Sequence, residues 1–202
     1  MGLSQRSKDV KERVRSLFPA VAVIAVAGLL ALGGDDIRQL LRFDRAGLAD
    51  GELWRLVSGH FVHLGSSHWL LNAAGMVLIA LLVAGEFRPF AWLAISVAGI
   101  AGIGAGLWFL NPELGWYVGL SGLLHAWLAA GIVGLIANGR PDGWPLAILV
   151  IGKLVFEQWS GPLPGSAEAA GGPVVVDAHL YGALAGATAA VLLTRLERRR
   201  RL

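Results

Sequence analysis

The residue with the clearest chemical potential is Ser121, which lies between two glycines in the segment Gly119-Leu120-Ser121-Gly122. The glycines remove side chains that would shield the hydroxyl, and they permit backbone angles that other residues rarely adopt. A serine exposed in this way can act as a nucleophile once a neighbouring base removes its proton. The same motif also begins ordinary apolar helices, where the serine caps the backbone, so other polar residues must decide between the two roles.

Further polar residues stand near the starts of other apolar segments. His68 and Asn72 lie at the start of one segment and His179 at the start of another, while His125 follows Ser121 by one helical turn. Histidine titrates near neutral pH and can be the base that a serine needs. The Asn72 amide, His68 and the backbone N–H of Ser121 could donate hydrogen bonds to the oxyanion of a tetrahedral intermediate. Together these residue types favour nucleophilic acyl transfer.

The composition indicates the environment in which this chemistry would take place. The chain of 202 residues is 55% hydrophobic and only 15% charged, whereas soluble domains carry about 25% charged residues. This composition predicts an all-α polytopic membrane protein with a single domain. The absence of cysteine excludes disulfides, thiol nucleophiles and thiolate metal sites, and we predict no bound metal and no cofactor. The net charge of +3 arises largely at the two ends, which indicates membrane orientation rather than nucleic-acid binding.

The sequence divides into a basic leader over residues 1–16, a six-helix domain over residues 17–194 and a basic tail over residues 195–202. The expected spans are residues 17–32, 68–84, 90–110, 121–137, 144–159 and 174–193. The first could instead be a signal peptide, but its length also fits a short transmembrane helix, which we favour. Residues 34–67 carry four arginines and five acids and are expected to form an interfacial loop. Within this loop, Trp54-Arg55 could meet lipid phosphates or backbone carbonyls, or could be an ordinary aromatic-belt anchor.

Six spans place both termini on the same side of the membrane. Both termini are basic, and the loops after the second and fourth spans carry Arg88 and Arg140, whereas the loops after the third and fifth spans carry no lysine or arginine. The positive-inside rule therefore predicts cytoplasmic termini. Under this topology the second, fourth and sixth spans all enter from the outer face, and His68, Ser121 and His179 lie at a similar depth. Ionisable residues inside a membrane usually face the bundle interior or a water-filled cavity.

Small residues indicate which helices could approach each other closely. Gly182 and Gly186 follow His179 with the spacing that allows two transmembrane helices to pack tightly. If the partner is the fourth span, Ser121 and His179 come within hydrogen-bonding distance.

The motifs occur in the order found in the rhomboid intramembrane serine proteases, and the chain resembles this family over nearly its whole length. The matching motifs are Trp54-Arg55, His68-x-x-x-Asn72, Gly119-x-Ser121-Gly122 and Ala178-His179-x-x-Gly182-x-x-x-Gly186. The resemblance implies a six-transmembrane-helix bundle whose water-accessible site opens to the bilayer. Ser121 would be the nucleophile and His179 the general base of a dyad, with His68 and Asn72 forming part of the oxyanion hole. It also implies membrane-anchored protein substrates, and we expect the chain to lie in the bacterial inner membrane.

Four residues are similar to a narrower branch, the rhombosortases. This bacterial subgroup is expected to process proteins that end in Gly-Gly, a hydrophobic helix and a basic tail. The residues are His125, where many rhomboids have an aromatic residue, together with Asp177, Lys153 and Glu157. Lys153 and Glu157 are four apart, so they could neutralise each other or could line the substrate access route beside the fifth span. His125 is expected near the wall of the cavity. Asp177 lies off the helical face of His179 and is not expected to join a triad.

Two other classes of function remain as alternatives. A non-proteolytic rhomboid-like factor would bind membrane proteins, but such relatives usually lack the serine or the histidine, and this chain has both. A small transporter would also place histidines and a Lys/Glu pair in helices, but it gives no reason for a serine between glycines at a helix start. Whether the reaction ends in hydrolysis or in transfer to another acceptor is left open.

Overall fold

The computed structural model describes the backbone of residues 3–199 and the side chains of residues 17–199. The basic side chains of the predicted leader, and Arg200 and Arg201 of the predicted tail, lie outside the described residues. Within this range the helices are α1 (Leu3–Ala31), α2 (Gly34–Leu41), α3 (Arg45–Ala49), α4 (Arg55–Ser58), α5 (Ser66–Val83), α6 (Pro89–Leu110), α7 (Ser121–Ala137), α8 (Gly143–Ser160), α9 (Ser166–Ala170) and α10 (Val176–Arg199). Two short strands, β1 (Phe43–Asp44) and β2 (Trp116–Tyr117), pair antiparallel.

The apolar helices make the chain an integral membrane protein. Among the described residues, three segments are long and apolar enough to cross a bilayer, namely α6, α10 and α5 with the short 3₁₀ turn after it. A fourth span would result if α2 and the second half of α1, which meet at 118°, formed one broken span. Helix α7 is apolar but has only 17 residues, near the lower limit for a span. Crossing the membrane six times therefore stays a prediction.

Both predicted terminal segments continue into helices. The backbone of the leader is already helical from Leu3, and α1 runs without a break into the first apolar segment. At the other end, α10 extends through Arg199, past the expected end of the sixth span at residue 193. Arg198 there donates a hydrogen bond of 2.8 Å to the carbonyl of Ala137. A cation at a helix C-terminus satisfies an unpaired carbonyl and is attracted by the helix dipole, so this arginine caps α7.

Helix α7 lies at the centre of the bundle and packs against α5, α6, α8 and α10. Most of its residues are buried, including Trp127, which stacks on Trp92 of α6 with ring centroids 4.6 Å apart. A helix with apolar residues around its whole circumference is stable when nearly all of its sides are buried. The serine at its first turn is therefore held by the best-packed element of the fold.

Contacts of small residues show the relative directions of the helices. A Cβ at Gly182 would overlap the carbonyl of Gly122, and one at Gly186 would overlap the carbonyl of Ala126. The contacting residues have increasing numbers in the same direction along α10 and α7, so the two helices are parallel. Helix α5 is parallel to α7 as well, because Gly119 faces His68 and Gly131 faces Val83.

Helix α6 runs in the opposite direction. Its Gly106 lies against Tyr181, whereas Gly102, one turn earlier, lies against Ala185, one turn later in α10. The loops on either side of α6 are therefore at opposite ends of the bundle. The polar starts of α5, α7 and α10 all lie at one of these ends.

The segment expected to be an interfacial loop is built from the short elements α2 to α4. Arg55, which is buried, donates from Nη1 to the carbonyls of Gln39 at 2.9 Å and Arg42 at 3.1 Å, and it pairs with Glu52. Lipid phosphates and backbone carbonyls were the partners predicted for this arginine, and in the structure it binds backbone carbonyls. Its neighbour Trp54 is 48% exposed.

Arg45 attaches this segment to the end of α6. Its guanidinium lies over the Trp108 ring and donates hydrogen bonds to four carbonyls at 2.6 to 3.1 Å. These belong to Leu107, Trp108, Asn111 and Leu114. The last carbonyls of a helix have no partner within it, and a guanidinium carries enough donors to bind several at once.

Pairing of β1 with β2 connects the same segment to the residues that precede the serine. Phe43 lies opposite Tyr117 and Asp44 opposite Trp116. Burial alone would raise the pKa of the Asp44 carboxyl, but the hydrogen bond from the Gly47 N–H and the guanidinium of Arg42 outweigh it and lower this pKa. The charged Asp44 then caps α3 through its bond with Gly47. The chain approaching Ser121 is thus held on a fixed support.

Candidate active site

Ser121 is the first residue of α7 and follows a turn that only glycine can make. Gly119 has a φ of +119°, and a Cβ there would lie 2.7 Å from the imidazole of His68. Both the backbone angle and the space exclude a side chain. The Gly119 N–H donates 3.0 Å to the carbonyl of Gly59, and the Tyr117 hydroxyl donates 2.6 Å to the carbonyl of Gly119. The turn therefore places the serine beside the ring of His68.

His179 meets the serine from a different helix. Its Nε2 lies 2.9 Å from the Ser121 Oγ, and the imidazole is only 4% exposed. The parallel packing of α10 on α7 makes this approach possible, because Gly182 and Gly186 bring the two backbones into contact. Gly122 contributes as well, since a Cβ there would lie 2.9 Å from the carbonyl of Ala178.

The other ring nitrogen of His179 faces Glu157 on α8. The distance from Nδ1 to the Glu157 Oε2 is 3.0 Å, and the same oxygen lies 2.7 Å from the Lys153 Nζ. Glu157 is 3% exposed. The glutamate thus points inward at the histidine, and the lining of the substrate access route by Lys153 and Glu157 stays a prediction. The expected neutralising contact between Lys153 and Glu157 is present.

His125 also belongs to this cluster. Its ring stacks on that of His179 with centroids 4.2 Å apart and an interplanar angle of 17°. Its Nδ1 lies 2.7 Å from the carbonyl oxygen of Ser121, and its Nε2 lies 3.0 Å from the Lys153 Nζ. Because a carbonyl can only accept, Nδ1 carries the hydrogen, and Nε2 then accepts from the ammonium of Lys153.

His68 faces Gly119 of the serine turn, and Asn72 follows it by one turn of α5. Both residues are buried. The His68 Nδ1 accepts from the Leu64 N–H at 3.3 Å, so a neutral His68 carries its proton on Nε2 and can donate from there. The Asn72 Nδ2 donates one hydrogen to the carbonyl of His68 at 3.0 Å. An amide nitrogen has two hydrogens, so the second can serve another acceptor.

Asp177 has a partner other than His179. Its Oδ2 accepts from the Asn111 Nδ2 at 2.6 Å, and the Asn111 Oδ1 accepts from the Tyr181 hydroxyl at 2.8 Å. These bonds fasten the start of α10 to the end of α6, which helps to place His179. Asn111 and Tyr181 were not predicted, because an asparagine before a proline is typical of a turn. Their contact connects residues 70 positions apart.

Three residues of the cluster have atoms that could hold a metal ion. Ligand atoms of His125, Glu157 and His179 lie within 4.8 Å of one another. The ammonium of Lys153, however, already binds both Glu157 and His125. The arrangement thus fits an ammonium group, which donates hydrogen bonds, rather than a divalent cation.

Comparison with protein families agrees with this geometry. The family model described as Rhomboid domain matches residues 50–196, a range from just before α4 almost to the end of α10. The chain belongs to the rhomboid family. Rhomboids are generally intramembrane serine proteases that act on membrane proteins within the lipid bilayer.

Curated relatives of this rhomboid are mycobacterial. It is 33% identical over 160 residues to uncharacterized proteins of Mycobacterium tuberculosis and Mycobacterium bovis, which covers 74% of this chain and 62% of each relative. A Mycobacterium leprae protein, also uncharacterized, is 29% identical over 208 residues, covering 96% of this chain and 78% of the relative. The chain thus spans less than two thirds of the length of the first two relatives.

Proposed function

We propose that this rhomboid is a serine endopeptidase that cleaves membrane-anchored proteins in or near a transmembrane segment. The observation that supports this most directly is the 2.9 Å contact between the Ser121 Oγ and the His179 Nε2. This distance is within the range of about 2.6–3.2 Å expected for a nucleophile and its base. The two side chains come from different helices, and close glycine packing brings them together.

Each step of the proposed reaction moves one proton through His179. The Ser121 Oγ attacks the scissile carbonyl carbon while its proton passes to the Nε2. The C–N bond breaks as that proton moves to the leaving amine, and an acyl-enzyme remains on the serine. Water then attacks the ester, its proton passes to Nε2, and this proton returns to the Ser121 oxygen as the new carboxyl terminus leaves.

The oxyanion would be stabilised by His68, Asn72 and the backbone N–H of Ser121. The proton that His68 carries on Nε2 and the second amide hydrogen of Asn72 support this assignment. Preorganised donors of this kind are each worth about 10²–10³-fold in rate. The positive end of α7 adds to the same field.

Labelling with a fluorophosphonate probe tests the proposed function. An activated serine displaces fluoride from the probe, so the wild-type protein in detergent should be labelled at Ser121 and should cleave a membrane-anchored reporter. Ser121→Ala should lose both activities, while Ser160→Ala, a change of the same kind at an exposed helix end, should keep both. A wild-type protein that neither reacts nor cleaves would instead support the binding-factor or transporter hypothesis.

We further propose six spans with both termini in the cytoplasm of a bacterium. The basic ends and the positions of Arg88 and Arg140 support this orientation. The parallel course of α5, α7 and α10 supports it as well, since parallel spans must enter from one face. The site would then lie near the outer face of the inner membrane.

The narrower hypothesis is processing of proteins that end in Gly-Gly, a hydrophobic helix and a basic tail. The sequence features that support it are His125, Lys153 and Glu157, which resemble the rhombosortase branch. The test is a pair of reporters that differ only in Gly-Gly or Leu-Leu before the hydrophobic helix. Selective cleavage of the Gly-Gly reporter would support the hypothesis, and mass spectrometry of the new C-terminus would separate hydrolysis from transfer to another acceptor.

A further inference from the structure

The residues around Ser121 and His179 form a closed ring of hydrogen bonds. The ring passes from the Ser121 Oγ to His179, then to Glu157, Lys153 and His125, and returns to the Ser121 carbonyl. We propose that Glu157 is a positioning residue that extends the serine–histidine pair to a triad, with Lys153 and His125 holding the carboxylate and the imidazole in place. This inference rests on the proposed function and assigns further residues to the same site.

Glu157 determines the position of the proton on His179. An ionised carboxylate can only accept hydrogen bonds, so Glu157 requires the hydrogen of a neutral His179 to be on Nδ1. The Nε2 lone pair then faces the Ser121 hydroxyl, as a general base requires. Histidine has two tautomers, and the bond made by one nitrogen determines the state of the other. Glu157 thus selects the tautomer that can accept the serine proton.

Glu157 also stabilises the positive charge that forms on His179. When the serine proton reaches His179, the imidazole becomes a cation next to the Glu157 carboxylate, and a nearby opposite charge stabilises it. Glu157 is 3% exposed, and a buried carboxylate without a partner would be costly. Lys153 provides that partner at 2.7 Å, so the carboxylate remains charged inside the bundle.

Glu157 and His125 together fix the orientation of the His179 ring. Glu157 holds His179 at one edge, whereas His125 lies flat against its face. His125 is fixed at both nitrogens, by the Ser121 carbonyl and by Lys153. Contacts at one edge and one face of the imidazole leave it little freedom to rotate away from the serine. The third residue of a catalytic triad holds the histidine in its productive orientation in the same way.

A simpler role for Glu157 would be to neutralise Lys153. Two variants separate the roles: Glu157→Gln removes the carboxylate charge and leaves the half-buried Lys153 without its acidic partner, while Lys153→Met with Glu157→Gln removes both charges. If Glu157 only neutralises Lys153, the double variant should react at the wild-type rate. If it positions His179, the double variant should recover thermal stability but remain slow.

The experiment measures thermal unfolding, the rate of fluorophosphonate labelling, and kcat and KM on a membrane-anchored reporter. We expect Glu157→Gln and the double variant to lower the labelling rate and kcat by about 100-fold, as for the loss of an acid–base contribution, with KM changed by less than about threefold. Glu157→Asp should restore part of the rate, because it keeps the carboxylate. The matched control is Glu113→Gln, the same change at an exposed acid, which should leave every value unaltered.

The outcomes separate this inference from the proposed function. A wild-type protein without labelling or cleavage would overturn the proposed function, whatever the variants do. An active wild-type protein together with a folded double variant of equal rate would leave the protease intact and overturn the positioning role of Glu157. Should Glu157→Gln fail to fold, the double variant still decides, because it contains no unpaired charge at these positions.

Discussion

The imidazole of His125 lies flat on that of His179, with ring centroids 4.2 Å apart. Two histidines therefore stand close to Ser121, and sequence proximity alone would favour His125, which is only four residues away. The hydrogen bonds distinguish them. His179 directs Nε2 to the serine hydroxyl, whereas the Nδ1 of His125 faces the serine carbonyl. Of the two, only His179 contacts the atom that would react.

The first prediction concerns His179 and Ser121 as one unit. His179→Ala should reduce cleavage as completely as Ser121→Ala, and the double variant should be no slower than either single variant, because groups that act together have non-additive effects. The measurement is the rate of reporter cleavage for the three proteins. An additional loss in the double variant would indicate that the two side chains act separately.

The second prediction separates the stacking of His125 from its hydrogen bonds. His125→Ala removes both, whereas His125→Phe keeps a flat ring against His179. Aromatic pairs contribute about 0.5–1.5 kcal/mol beyond their buried area, which corresponds to about 2- to 12-fold in rate. We therefore expect the phenylalanine variant to label with fluorophosphonate several-fold faster than the alanine variant, and both to retain measurable activity. If the alanine variant were as inactive as His179→Ala, the assignment of the base would have to be reopened.

The sequence supports the serine–histidine pair better than it supports the rest of the site. Ser121 and His179 each begin an apolar segment, and a glycine repeat after the histidine indicates a close helix contact, so their meeting follows from local patterns. The contact between Glu157 and His179 does not follow from local patterns in the sequence. Spacing within α8 pairs Glu157 with Lys153, but the face that α8 turns toward α10 depends on the packing of the whole bundle.

Arg45 illustrates a second limit of the sequence. Nothing in the residues around it indicates four carbonyl partners at 2.6 to 3.1 Å, because those carbonyls lie 62 to 69 positions later in the chain. A helix start or a glycine turn is determined by neighbouring residues. The hydrogen-bond partners of a guanidinium that binds the end of a distant helix are determined only by the folding of the whole chain.

The third prediction uses the glycines that bring α10 to α7. Gly186→Ala should reduce both thermal stability and labelling, because its methyl group would overlap the Ala126 carbonyl and push His179 away from Ser121. Overpacking in a well-packed core costs about 1–3 kcal/mol. The matched control is Gly152→Ala on α8, where no described atom beyond the neighbouring residues and the local helix backbone lies within 4 Å of the added carbon and where alanine should favour the helix. Equal stability in the two variants would contradict the proposed tight contact.

The last prediction concerns the orientation of the protein in the membrane, and it rests on the helix directions together with the distribution of basic residues. Helices α5, α7 and α10 are parallel and α6 is antiparallel to α10, so the loops containing Arg88 and Arg140 are expected at one face and residues 161–172 at the other. The helix directions do not say which face is cytoplasmic, but the arginines do. Reporter fusions after Arg88, Arg140 and Leu202 should therefore report the cytoplasm, and a fusion within residues 161–172 should report the opposite side. If all four reported reversed sides, the helix arrangement would stand and the charge argument would fail, whereas disagreement between Arg88 and Arg140 would contradict the parallel course of α5 and α7 itself.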